Sequence, residues 1–404
     1  MTSVFWKKTH LSVAVGSVCL ALSSVSQAVV LVGGDNGWEV SFDGNVNSFL
    51  VLERPDAKPD NVVGGTISGD QDSARVRTGL LPAVFAFNVR SPIVNGLRGS
   101  ARIGFYPQVQ NAKTKNQFGS QVDFREAFFK VEGEFGDVLM GRALSLFQGK
   151  NLLTDMTLFG LGVQGGVDGG GTTLGRIGYG YVYPQFNAGI RYTTPDYSGF
   201  KLSAGIFDPS KIAGDVSATE TDMPRFEAEL SYGAPLGNGR ILGWVSAMTQ
   251  SADFATGGDS VRSSGIAGGI SYDLDMGLGF VLSGYVGKGL GSTLMLDSDS
   301  LDSVGEERDN HGFLAQATYT MGKTKLGLSY GESDTKETRA DQLVRLSTGA
   351  RQIEKQSSVT LGLYHDVNAW LKIAAEYNYS KNEWYGSGGA QDSNALGLGA
   401  FFLW

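Results

Sequence analysis

The chain has 404 residues, a formal net charge of −8, one cysteine and 10 prolines, against 58 glycines, 22 Phe, 15 Tyr and 6 Trp. A single cysteine excludes a disulfide scaffold, and acidic charge spread along the chain gives no footing for nucleic acid. High glycine, low proline and abundant aromatics fit many strands in a wide, tilted sheet better than a helical enzyme of this size.

The first 28 residues read as a secretory signal peptide. Lys7 and Lys8 form a basic start, residues 11–22 an apolar run, and Ser26-Gln27-Ala28 a small-residue cleavage site. Cleavage after Ala28 removes Cys19, the only cysteine, and leaves 376 of the 404 residues. Loss of the two lysines takes the charge from −8 to −10. Beyond Ala28 no run approaches the ~18–20 apolar residues of a membrane-spanning helix.

Period-two alternation takes the place of such a run. Trp38, Val40, Phe42 and Val46 alternate with Glu39, Ser41, Asp43, Asn45 and Asn47. Phe226, Ala228, Leu230 and Tyr232 do the same, as do Phe313, Ala315, Ala317 and Tyr319, and Leu371, Ile373, Ala375, Tyr377 and Tyr379. Each pattern is a strand with one apolar face. Short connections at 91–96, 133–137, 194–199, 233–239, 273–277 and 321–324 alternate with long polar ones. The long ones fall at 53–72, 110–121, 144–175, 208–222, 251–263, 291–310, 334–355 and 381–392. Eight long and about eight short connections predict about sixteen antiparallel strands with tight turns on one side. The expected fold is all-β, a transmembrane antiparallel barrel. Residues 29–404 form one domain after the signal peptide, residues 1–28.

Six arginines precede the longest loop. Arg75 and Arg77 share one strand face, Arg98 and Arg102 share a face of the next, and Arg125 and Arg142 fall on the following two. An arginine at the midplane of the lipid face costs about 2–4 kcal/mol, so an inward basic wall is expected, the alternative being that several sit near strand ends and snorkel at the interface. Pointing Arg125 inward would put Glu126 and Lys130 outward. The loop at 144–175 carries Lys150, Asp155 and Asp168 and ends in glycine-rich sequence, 160–171. Such length without secondary structure of its own marks a functional or a disordered segment, with a solvated surface loop as the alternative to an infolded one.

Enzyme signatures are absent: His311 and His365 are the only histidines beyond the signal, with no HExxH, GxSxG or P-loop pattern. The acidic run of Asp297, Asp299, Asp302, Glu306, Glu307 and Asp309 carries hard oxygen ligands but lacks an EF-hand glycine. It reads as a solvated outer loop, and no metal site or cofactor is expected. At the C-terminal end, Leu396, Leu398, Ala400, Phe402 and Trp404 share one face, the pattern of a strand that pairs on one side and meets lipid on the other.

Several segments together resemble the Gram-negative general porins, neisserial branch. Residues 189–200, Gly-Ile-Arg-Tyr-Thr-Thr-Pro-Asp-Tyr-Ser-Gly-Phe, are similar to that family's strand-turn-strand signature. Residues 124–129 and 136–142 look like its fourth and fifth strands. The resemblance implies a homotrimer of sixteen-stranded barrels with a third loop folded into each lumen. It also implies a constriction where Asp155 and Asp168 of the loop, with Lys150, face Arg75, Arg77, Arg98, Arg102, Arg125 and Arg142. Phe402 and Trp404 would be part of an assembly signal read by the barrel-assembly machinery. Outer-membrane lipids and lipopolysaccharide would surround the protein. The expected function is passive diffusion of small hydrophilic solutes, with a weak preference for anions. The alternatives are a substrate-specific porin, a barrel enzyme, or a closed structural barrel.

Overall fold

In strand β2, Glu39–Pro55, successive side chains take opposite sides of the wall. Phe49, Val51 and Glu53 are buried on the inner face, whereas Leu50 and Leu52, about half exposed, look outward. The computed structural model describes residues 28–404 except 35, 68, 111–121, 166–170, 256, 258–259 and 387–388. Residues 1–27 of the expected signal and Asp168 therefore lie outside the described residues.

After a short β1, Val29–Gly33, and β2, the chain forms β3, Val62–Val63; β4, Ser73–Arg77; β5, Val84–Arg90; β6, Arg98–Pro107; and β7, Val122–Gly133. It continues through β8, Gly136–Leu144; β9, Phe186–Thr193; β10, Phe200–Phe207; β11, Arg225–Pro235; β12, Gly239–Ala252; and β13, Val261–Leu274. Then come β14, Leu278–Lys288; β15, Asp309–Met321; β16, Thr324–Lys336; β17, Arg351–Asp366; β18, Leu371–Trp384; and β19, Ala390–Leu403. Neighbours pair antiparallel in chain order, and β19 closes on β2 from Ser393↔Pro55 to Leu403↔Asn45. Both β4 and β5 pair with β2, so they are two halves of one wall strand broken at residues 78–83. β1 lies beyond the end of β19 along β2, and β3 makes a small parallel pairing with β17. Setting those two aside, the described residues form a closed barrel of sixteen strands, as the alternation predicts. No helix among them is long and apolar enough to cross a membrane.

Turn chemistry matches the short side. Asn95 and Gly96 both have positive φ, the conformation that tight hairpins require. The outer face near these turns carries an aromatic belt across the closing seam. The Trp404 ring lies 5.2 Å from Phe85, 5.4 Å from Phe42 and 5.9 Å from Phe402, which in turn lies 5.6 Å from Trp370. Such belts sit at the membrane–water interface.

The long side is more ordered than polar loops alone suggest. Residues Arg339–Thr348 form a helix with a capping box from Thr338 and Asp341 and a left-handed Gly349 at its end. Arg308 donates to Asp341 at 2.6 and 2.8 Å, to Asp215 at 2.8 Å and to the Leu301 carbonyl at 2.8 Å, tying three loops together. Burial alone would push the Asp341 carboxyl up, but hydrogen bonds from Arg308 and Thr338 outweigh it and hold it below the ordinary carboxylate value. This clamp contributes stability above the ordinary aspartate pKa and loses it as pH falls through the depressed value. The acidic run is not a free ligand set either. Asp302 accepts from the backbone N–H groups of Val304 and Glu306, and Asp299 from that of Ser292. No group of acidic residues able to hold a metal occurs among the described residues.

Replacing Trp404 with Asp removes three ring contacts worth about 0.5–1.5 kcal/mol each at the seam. The expected result is a folding equilibrium weakened by about 2–4 kcal/mol, read as a lower urea midpoint in lipid vesicles. An unchanged midpoint would show that the belt does not hold the closure.

Candidate functional site: the third loop and the lumen wall

The described residues between β8 and β9 turn into the barrel and cross it. The carboxylate of Glu227 on β11 accepts the backbone N–H groups of Leu146 and Phe147 at 2.8 and 2.9 Å. Gln148, in the left-handed conformation, turns the chain into a short helix, Gly149–Leu153. Trp244 Nε1 on β12 donates to Asn151 Oδ1 at 2.9 Å, and Lys150 Nζ lies 2.5 Å from Glu229 Oε1 on β11. Farther on, Met156 N donates to Gln316 on β15 at 3.1 Å. Glu376 on β18 accepts the N–H groups of Leu161 and Gly162 at 2.8 and 2.7 Å. The returning limb is held by Arg176 Nε on Ser329 Oγ at 3.0 Å and Gly180 N on Ser333 Oγ at 3.0 Å, both on β16. Anchors on β11, β12, β15, β16 and β18 place the loop across the lumen, as the resemblance implies.

Loop and wall share apolar cores as well. Leu152, Ile177 and Tyr181 pack with Leu80, Leu144 and Leu314, and Leu161 packs with the inward Phe49, Val51 and Phe401. Glycine is required where backbones meet: a Cβ at Gly162 would lie 2.4 Å from the Gly175 Cα. Asp155 is the loop's internal hub. It caps the 3-10 turn Met156–Phe159 through Thr157 N at 2.8 Å and accepts from Tyr181 OH at 2.7 Å and Arg176 N at 3.1 Å. It therefore holds the loop's own fold and bonds to none of the six wall arginines, and Lys150 is neutralised by Glu229.

The six arginines do not act as one ladder. Arg75 and Arg77 face inward at the β4 end of the wall. Arg77, 6% exposed, donates to the loop carbonyls of Gln164 at 3.1 Å, Thr172 at 3.2 Å and Gly171 at 3.3 Å. Arg98 sits near the turn side, in register with Glu132. Arg102 is saturated by Glu126 at 2.6 Å, Asp43 at 2.8 Å and Asn88 at 2.9 Å. Arg125 does point inward, donating to Asp123 at 2.9 Å and Tyr183 OH at 3.2 Å. Glu126 and Lys130, expected outward, also face the lumen. The cause is a β-bulge: the register shifts between Gly104 and Tyr106, so an extra residue on β7 lets Arg125 and Glu126 point the same way. Arg142 is the outright correction. It pairs with Ala127 and Ala188 on the outer face and is exposed there, donating to the Phe186 carbonyl at 2.7 Å.

Beneath the loop, toward the short turns, lies a cavity of about 1010 Å³. Its wall carries Arg191, Lys201, Arg240 and Lys325 with Asp137, Glu229 and Asp273, and its roof is the loop's Leu153, Met156, Leu158 and Phe159. None of these four basic residues was singled out from sequence, although Arg191 and Lys201 lie within or beside the quoted signature segment. His311 lies on the outer face with its Nε2 3.7 Å from Asp334, apart from the lumen.

A closed barrel with an infolded loop and a polar, charged inner wall defines a transmembrane channel. Residues 13–385 match the Gram-negative porin family, and the chain belongs to it. The fold is similar to the outer membrane channel DcaP of Acinetobacter baumannii, with TM-score 0.68, 15% identity, and coverage of 93% of this chain and 100% of that one. It is also similar to the anion-selective porin from Comamonas acidovorans, with TM-score 0.62, 16% identity, and coverage of 91% and 100%. A trimer form of OmpT of Vibrio cholerae aligns with TM-score 0.51 and 16% identity over 91% of this chain and 99% of that one. Among curated protein sequences nothing matches the chain. The protein is an outer-membrane channel for passive diffusion, not an enzyme.

Replacing Glu376 with Ala leaves two buried N–H groups of the loop without an acceptor, at about 1–3 kcal/mol each. Single-channel currents should become larger and noisier as the loop loosens. Currents identical to the native protein would show that this anchor does not fix the loop.

Proposed function

We propose that the channel prefers anions weakly and that Arg77 on the wall beside the third loop is the main cause. The observation that carries this reading is the partner set of Arg77. Its guanidinium is hydrogen-bonded by three backbone carbonyls and by no carboxylate, with Glu53 acting on it only through space, so positive charge is kept beside the loop. Arg75 shares its face, whereas Arg125, beside Tyr183, is paired with the Asp123 carboxylate. Arg102, by contrast, is cancelled by two carboxylates. A charge in a low-dielectric wall reaches farther into a narrow lumen than one in an outer loop, which salt screens over ~8–10 Å. The acidic net charge therefore does not set the sign of selectivity. The likeness to an anion-selective porin agrees with this reading.

The protein works as a homotrimer, exported by way of a signal peptide cleaved after Ala28 and surrounded by outer-membrane lipids and lipopolysaccharide. The support for association on this chain is Arg142. An exposed arginine on the outer wall, flanked by Ala127 and Ala188, is unfavourable against lipid, and contact with a second subunit relieves that cost.

Arg77 and Arg142 separate the two roles. Arg77→Ser should move the reversal potential in a salt gradient toward cations, whereas Arg142→Ser should leave it unchanged and lower the temperature at which the oligomer dissociates. Equal reversal-potential shifts in both variants would contradict the assignment of faces, and no shift in Arg77→Ser would contradict the anion reading.

A further inference from the structure

The cavity beneath the third loop has a feature that free diffusion of ions does not require. On β16 the Lys325 side chain faces this cavity, and its ammonium lies 5.0 Å from the centroid of the Tyr364 ring. Among the described residues, no hydrogen bond or ion pair to Lys325 occurs. Lys372, the neighbouring lysine on β18, is instead paired with Asp366 and lies 5.4 Å from the Phe159 ring. Asp273, Asp155 and Asp366 are near enough to act on the Lys325 charge through space, and none of them bonds it. The roof beside Lys325 is apolar, made by Met156, Leu158 and Phe159 of the 3-10 turn. The Met156 sulfur packs against β16 itself, 2.6 Å from where a Cβ on Gly327 would lie.

A lysine over an aromatic ring, facing a cavity under an apolar roof with no carboxylate bonded to it, leaves its ammonium open to an anion that enters the lumen. The geometry points to a binding subsite for a small organic carboxylate with an apolar body. The carboxylate meets Lys325 Nζ, and the aryl or alkyl body lies against Leu158, Phe159 and Met156. Inorganic anions satisfy the charge but leave the roof wetted, and neutral analogues satisfy the roof but leave the ammonium unpaired. A cavity of about 1010 Å³ takes such a solute with room for its hydration water. The site rests on the reading of this lumen as an anion-preferring channel and names the class of anion that it retains longest. A retained solute gives a channel of small conductance with transient block, instead of one indifferent to solute chemistry.

The test uses the folded full-length barrel with benzoate, acetate, phosphate and benzamide as probes. Calorimetry in detergent reads binding whether or not current flows, and planar-bilayer recording reads block of potassium chloride current. Benzoate should bind and block. Acetate and phosphate should be at least tenfold weaker, and benzamide should have no effect. Lys325→Met should weaken benzoate at least tenfold, Lys325→Arg should retain most of the binding, and Leu158→Ser should weaken benzoate while leaving acetate unchanged. Equal binding of benzoate and benzamide, or benzoate binding unaltered in Lys325→Met, overturns the site. If Lys325→Met does not fold, Lys325→Arg and Leu158→Ser still decide, because benzoate affinity indifferent to Leu158→Ser also overturns it. Cation preference in the native channel with intact benzoate binding would defeat the anion reading alone, so the two failures are distinguishable.

Discussion

In hydrocarbon, a backbone N–H or C=O without a partner costs several kcal/mol, and there is no water to supply one. This constraint governs the whole molecule. It forces the sheet to close, with β19 beside β2, and the aromatic belt of Phe42, Phe85, Phe402 and Trp404 lies across that closure. It also frees the sequence from needing any long apolar run, because alternate residues can serve lipid and lumen. Mean hydropathy close to zero is the outcome of that alternation.

The inner wall then acts as a template for the third loop. Carboxylates and amides on it accept the loop's backbone donors: Glu227 at the first limb, Gln316 at the 3-10 turn and Glu376 at the glycine-rich stretch. Wall hydroxyls of Ser329 and Ser333 hold the return. Glycine-rich sequence lets the backbone lie this close to the wall. The price for the wall is that several inward positions on β2 are apolar, since Phe49 and Val51 meet Leu161 and not water. The selectivity of the pore follows from which charges this packing cancels and which it leaves.

Much of this was legible in the sequence. Alternation gave the strands, and connection lengths gave both sides of the barrel. The arginines before the loop were rightly gathered on neighbouring strands. What parity could not give was the face of each one. On β7 a bulge adds a residue, so Arg125 and Glu126 share a side that simple alternation assigns to opposite ones. On β8 both faces are apolar, because the inward Leu139 is covered by protein while Met140 looks out, and Arg142 cannot be placed from its neighbours. The helix Arg339–Thr348 did leave signals, Thr338 and Asp341 at the start and Gly349 at the end. Asp155 could be recognised as important but not as the loop's own hub, since its partners Tyr181 and Arg176 come from the returning limb. Lys325 had no sequence signal, as it becomes distinctive only where β16 passes beneath the loop.

The central claim is that the third loop lies inside the barrel against the closing strand. A cysteine pair at Leu161 and Gly397 tests it most directly. The only native cysteine, Cys19, lies in the expected signal peptide, and the Cβ position of Gly397 is directed at the Leu161 side chain, 1.9 Å from its Cδ1 and 3.4 Å from its Cγ. The disulfide is expected to form in the folded protein, detectable as altered mobility of the heat-denatured chain that reductant reverses. A correctly folded barrel in which the two cysteines remain unlinked under mild oxidation would contradict the infolded loop.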